Sequence, residues 1–122
     1  PVDSVSIYAN PDFGRTPKMP VPEPLSNTTI AVIGTSLKLS KAQANRLATV
    51  AHDGLALAVR PTHTLHDGDT VFTLATGFVD SIDEYPRLCG LAPTVMARAI
   101  VNAIRNATSL YGHASYSEVM GG

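Results

Sequence analysis

Apolar and polar positions divide most of this chain into segments of recognisable period. Thr28 to Leu37 is rich in β-branched residues and opens on the run Ile30-Ala31-Val32-Ile33. That length and composition predict a strand buried on both faces. Ser40 then stands where a helix N-cap belongs, and Gln43 three residues later completes a capping box, so a helix is predicted to start there. Ala44, Leu47, Ala48, Ala51, Leu55, Ala58 and Val59 recur at spacings of three and four and line one face, while Lys41, Asn45, Arg46 and Asp53 fall elsewhere. Pro61 closes this helix. A second strand is expected at about Thr70 to Thr76, ended by Gly77, followed by a polar loop through Asp80-Ser81-Ile82-Asp83-Glu84. A last helix is predicted with Pro93 in its first turn, and Val95, Met96, Ala99, Ile100, Ala103, Ile104 and Ala107 give it a broad apolar surface. That surface suits the centre of the segment's own core or, equally, a face that receives a layer from elsewhere.

Residues 1 to 27 show no such period. Pro1, Pro11, Pro17, Pro20, Pro22 and Pro24 crowd this leader, removing backbone donors and biasing their neighbours toward extended forms, so an extended Pro-rich arm is expected. The order strand, helix, strand, helix that follows predicts an α/β fold. The first strand covers about 30 Å at about 3.3 Å per residue, and the helix from Ser40 to Val59 covers a similar distance at about 1.5 Å per residue. The helix therefore returns the chain to its starting level. His63 to Asp69 should lie near the level of Thr28 although they are distant in sequence.

Composition narrows the function. At 122 residues one domain is expected. With 16% charged residues and a formal net charge of -1 the chain offers no electrostatic footprint for nucleic acid or an anionic membrane, so a small or uncharged partner is expected. No apolar stretch approaches the roughly 18 residues needed to span a bilayer. The single Cys89 excludes an internal disulfide framework and suits a reducing, cytoplasmic location.

Two polar groups remain as candidate chemistry. Thr28, in Asn27-Thr28-Thr29, is a hydroxyl residue that opens a strand directly behind a loop, the place where a self-cleaving precursor would put its N-terminal nucleophile. Asp67 and Asp69 lie two residues apart on entry to the second strand, so an extended chain would point both to one face, able to orient a hydroxyl or hold its proton. Asp67-Gly68-Asp69 is equally a turn signal that needs no chemistry. On that alternative the chain is a non-catalytic α/β module in which Thr28 merely begins a strand. His63 and His66 beside these carboxylates match no strong zinc signature, and a loop or supporting role is the better reading, with no metal or cofactor expected. Cys89-Gly90, just ahead of the last helix, reads as a small apolar residue without a nearby His, and His52-Asp53 as a helix surface or packing pair.

Taken together, Asn27-Thr28-Thr29-Ile30-Ala31-Val32-Ile33, Ser40-Lys41-Ala42-Gln43-Ala44, Ala51-His52-Asp53-Gly54-Leu55-Ala56, Arg60-Pro61-Thr62-His63-Thr64 and Asp67-Gly68-Asp69-Thr70-Val71-Phe72-Thr73-Leu74-Ala75-Thr76-Gly77 resemble the C-terminal part of the DmpA-type aminopeptidase family of N-terminal-nucleophile hydrolases. Their Asn-Thr-Thr start is similar to the endo-type 6-aminohexanoate-oligomer (nylon oligomer) hydrolases. The resemblance runs from about Asn27 to the C-terminus. It implies a precursor that cleaves itself at Asn27-Thr28 into large and small subunits that stay together in an αββα sandwich. Residues 1–27 would then be the linker ending the large subunit, and 28–122 the small subunit, the C-terminal β-α-β-α portion of the sandwich. It further implies Thr28 as nucleophile and Asp67 and Asp69 as the acidic residues that orient and polarise it. A Lys and an Asn of the large N-terminal part would complete the site, and residues 1–26 offer no match for them. The expected partners are that N-terminal subunit, a small amide or peptide substrate, and further copies in a homo-oligomer. The substrate could be a 6-aminohexanoate oligomer or a β- or D-aminoacyl peptide or amide, and the fragment alone is expected to be inactive.

Overall fold

The computed structural model describes residues 9, 10 and 28–121. The arm expected over 1–27, Asn27 included, thus falls almost wholly outside the described residues. The fold is α/β, in the order β1 (Ile30–Leu37), α1 (Lys41–Ala58), β2 (Thr70–Val79), a 3-10 turn (Ile82–Glu84), α2 (Tyr85–Asn106) and a short α3 (Tyr116–Val119). β1 and β2 form a parallel pair in which Ile30 faces Thr70 and Val32 faces Phe72. Parallel strands need a crossover of a dozen or more residues, and α1 supplies it.

Local signals explain most boundaries. At Ser40 the capping box forms as expected: the Gln43 amide donates to Ser40 Oγ at 3.3 Å and the Ser40 amide to Gln43 Oε1 at 2.8 Å. The helix ends at Ala58, with the Val59 N–H still bonded to the Leu55 carbonyl. β2 does not stop at Gly77. Gly77 adopts φ 75°, open to a residue without Cβ, and the register slips between Thr35 and Leu37 so that the strand continues to Val79.

The last helix starts earlier than the sequence pattern suggested. It opens at Tyr85 with Pro86 in its first turn, and Pro93 lies in its interior. Two prolines carry the same start signal, and packing selects the first. Leu88, Ala92, Met96 and Ile100, four residues apart, carry one inward stripe straight through Pro93. Cys89 and Gly90 are therefore inside the helix rather than ahead of it.

The core lies between the sheet and the two long helices. Ile33, Leu47, Ala51, Ala92 and Met96 form its buried cluster, and Ala31, Leu39, Val50, Val71, Leu88, Cys89 and Ile100 pack on it. Cys89 is thus a half-buried packing residue. Gly54 permits this arrangement, because a Cβ there would stand 2.2 Å from the Pro93 carbonyl oxygen and 2.7 Å from Met96 Cβ. The expectation that β1 is buried on both faces does not hold among the described residues. Ile33 and Leu37 face the helices, whereas Ile30 and Val32 on the opposite face are 71% and 62% exposed. β-branched composition reports strand preference and apolar surroundings, and it cannot say whether the layer that covers a face is in the same segment. No helix among the described residues is long and apolar enough to cross a membrane.

Candidate active site

The N-terminal ends of β1 and β2 lie side by side, and the loop that precedes β2 wraps around that end. Thr29 is held from both sides. Its carbonyl accepts the Thr70 N–H at 2.9 Å, and its own N–H donates to Asp69 Oδ1 at 3.0 Å. The crossover thus brings the second carboxylate to the residue directly after Thr28, at the level that the lengths of strand and helix anticipated.

Asp69 is the hub of this end of the molecule. Its side chain is 7% exposed, and its Oδ2 accepts from Thr62 Oγ1 at 2.8 Å, from the His63 amide at 3.3 Å and from His63 Nδ1 at 3.1 Å. With Thr29 on Oδ1, these donors fill the about four lone-pair sites of a carboxylate. Burial opposes the charge. The Thr62 hydroxyl, the Thr29 and His63 amides and the His63 ring outweigh it and hold Asp69 below the usual carboxylate range.

Asp67 does different work. Its Oδ2 accepts the Thr64 amide at 2.7 Å, and its own N–H donates to the Thr64 carbonyl at 3.1 Å. This closes a local turn of the kind Asp favours. Asp67 thus shapes the loop, as the turn signal expects, and Asp69 reaches from that loop to the residue just ahead of β1. The two carboxylates do not share one strand face, because β2 begins only at Thr70.

Thr28 is exposed and stands two positions ahead of β1, with Thr29 between. Among the described residues its hydroxyl makes no hydrogen bond, so Asp69 meets it only through the neighbouring Thr29 amide. Asn27, the other side of the expected cleavage bond, lies outside the described residues.

His63 and Thr62 are the members that sequence reasoning undervalued. His63 has φ 57°, a left-handed conformation that costs a residue other than Gly about 1–3 kcal/mol. Its ring also meets His52 of α1, Nε2 to Nδ1 at 3.2 Å. His52 is therefore a packing partner of the loop, while Asp53 is exposed on the same helix. The only advance signal was compositional: Thr62-His63-Thr64 sets donors on a proline-flanked loop ahead of two carboxylates.

Comparison with known proteins places this geometry in a wider setting. Residues 6–117 match the model of peptidase family S58. An uncharacterized aminopeptidase of Mycobacterium tuberculosis is 39% identical over a 109-residue alignment that covers 79% of this chain and 32% of that protein. Its counterpart in Mycobacterium leprae is 40% identical over 108 residues, covering 76% of this chain and 30% of its own length. A 6-aminohexanoate-oligomer endohydrolase of Paenarthrobacter ureafaciens is 38% identical over 54 residues, covering 44% of this chain and 15% of that enzyme. The chain spans about a third of the length of the curated aminopeptidases it matches.

Proposed function

The chain belongs to peptidase family S58, and on that premise we propose that it is the nucleophile-bearing part of a self-processing amide hydrolase. Thr28 Oγ attacks the carbonyl carbon of Asn27, its proton passes to a base, the Asn27–Thr28 C–N bond breaks, and the departing amine takes a proton. Water hydrolyses the resulting ester, leaving a carboxylate on Asn27 and a free amine and hydroxyl on Thr28. An α-amine titrates at about 8, close enough to neutrality to exchange protons with the adjacent hydroxyl during later amide hydrolysis.

The observation that carries this proposal is the Asp69 bond to Thr29. A buried, ionised carboxylate filled by four donors is an expensive way to start a strand, and it fixes the peptide that follows the candidate nucleophile. Asp69 orients Thr28 through that peptide, and Asp67 holds the loop that presents Asp69. Oligomers of 6-aminohexanoate and short β- or D-aminoacyl peptides or amides are the candidate substrates, small molecules whose scissile bond is an amide.

The large N-terminal part supplies the rest of the pocket, including a Lys and an Asn for which residues 1–26 offer no match. It also covers the outer sheet face, where Ile30, Val32, Phe72 and Leu74 are all more than half exposed, and so completes an αββα sandwich. Assembly into a homo-oligomer in a reducing cytoplasm fits the same proposal. The test is the intact mass of the full-length parent after expression. A C-terminal fragment whose first residue is Thr28 is expected, and Thr28→Ala should abolish both cleavage and amide turnover. A parent that folds normally yet stays uncleaved, or turnover by the purified 122-residue chain alone, overturns the proposal.

A further inference from the structure

Thr62, His63 and His52 have no part in the chemistry above, yet they converge on its central carboxylate. Asp69 is ionised and accepts only, so the His63 nitrogen against it, Nδ1 at 3.1 Å, carries a proton. In the neutral ring that leaves Nε2 as an acceptor, and His52 Nδ1, 3.2 Å away, must then be the donor. With a neutral His63 ring, donors thus point from His52 on α1 through His63 to Asp69, and Asp69 accepts the Thr29 N–H on its other oxygen. The left-handed backbone at His63 lets its amide and its ring reach the same oxygen, Oδ2. Strain of this sort persists only where the surroundings over-determine it. Here the surroundings are the carboxylate on one side and a helix anchored in the core on the other.

We infer that His63 is the positioning residue of this site, with His52 as the brace that ties it to α1. Resting on the hydrolase reading above, this assigns His63 the task of fixing Asp69, and thereby the Thr28–Thr29 peptide, without touching the reacting atoms. Substrate binding should be indifferent to it, and the rate of the chemical step should not.

The test uses the complete self-processing protein. His63→Gly keeps both the left-handed backbone and the amide donor and deletes only the ring. Its kcat on an amide substrate should fall about 10-fold or more, because small misplacements of reacting groups act on rate, while KM stays within about 2-fold and self-cleavage slows in parallel. His63→Asn tolerates the same backbone and returns a side-chain N–H, so it should recover most of the loss. His52→Ala, which leaves the loop backbone intact, should lower kcat by about 3-fold at unchanged KM. If His63→Gly does not accumulate as folded protein, His52→Ala and His63→Asn decide the matter. A wild-type kcat in folded His63→Gly or in His52→Ala, or a loss in His63→Asn equal to that in His63→Gly, sinks the inference. Thr28→Ala separates the two levels: if it retains cleavage and turnover, the hydrolase reading itself fails, whatever the histidine variants do.

Discussion

The two faces of the β1–β2 sheet are built from similar residues and live in opposite surroundings. On the inner face Ile33 and Leu37 are buried under α1 and α2, whose Leu47 and Ala51 are wholly enclosed. On the outer face Ile30, Val32, Phe72 and Leu74 stand open. Four large apolar side chains on one side of two strands form a patch of the kind that soluble domains keep covered. The inner face holds this chain together, and the outer one has no cover among the described residues; on the function proposed above, a further layer packs there. The candidate site sits at the end of the strands where the two faces meet. There the polar network of Asp69 is already complete, while the hydroxyl of Thr28 still lacks a partner among the described residues.

Three changes would break or sharpen that contrast, and the largest effect is expected on the inner side. Gly54→Ala places a methyl 2.2 Å from the Pro93 carbonyl oxygen and 2.7 Å from Met96 Cβ. Backbone and a buried Cβ cannot step aside as the tip of a flexible side chain can, so α1 and α2 must separate. A loss of about 2–3 kcal/mol in unfolding free energy is expected, at the upper end for an overpacked core, read from urea denaturation. A variant as stable as the parent would show that the contact between the helices is loose, and the inner face would lose its claim to be the better packed of the two.

The second change concerns the polar end. Asp69 is held below the usual carboxylate range, so it binds protons less readily folded than unfolded. Its contribution to stability is therefore complete above the ordinary value of about 4 and disappears as pH falls through the lower folded value. In parallel urea titrations the parent should lose stability relative to Asp69→Asn between about pH 5 and pH 2, the variant being the less stable at neutral pH because its amide cannot accept from Thr62, His63 and Thr29 together. Identical pH profiles would mean that the network does not hold the carboxylate in its ionised form.

How much of this was legible beforehand follows from the range of the forces involved. The capping box at Ser40 and Gln43 is a contact between near neighbours, and it reads directly from spacing. The level at which the loop carrying Asp69 returns was also readable, because an extended segment and a helix cover matched lengths, whereas the bond from the Thr29 amide to Asp69 was not. Features that depend on distant surfaces were hidden. Pro93 carries a helix-start signal, yet Ala92 and Met96 pack on either side of it within the helix, and Gly54 carries no mark of the Pro93 backbone it must admit. The left-handed turn at His63 coincides with contacts to Asp69 and His52, both distant from it along the chain or across the loop, and no pattern of its neighbours encodes it. The open face of β1 was misjudged for the same reason, since β-branched residues suit a buried strand whichever chain supplies the cover.

The smallest effect on this chain, and the most telling for the contrast, is expected at Phe72. It is 56% exposed on the outer face, so Phe72→Ser removes little buried surface here. The unfolding free energy of the 122-residue chain should change by less than about 0.5 kcal/mol, the usual range for surface substitutions. In the full-length parent the same substitution should instead reduce the yield of self-cleaved protein, because the ring would be buried against the N-terminal part at about 25 cal/mol per Å² of apolar area. If Phe72→Ser lowered the stability of the chain by itself as much as Gly54→Ala, the outer face would already be packed and the two sides of the sheet would not differ. A full-length Phe72→Ser parent that assembles and processes like wild type would leave the faces different but deny the outer one its partner.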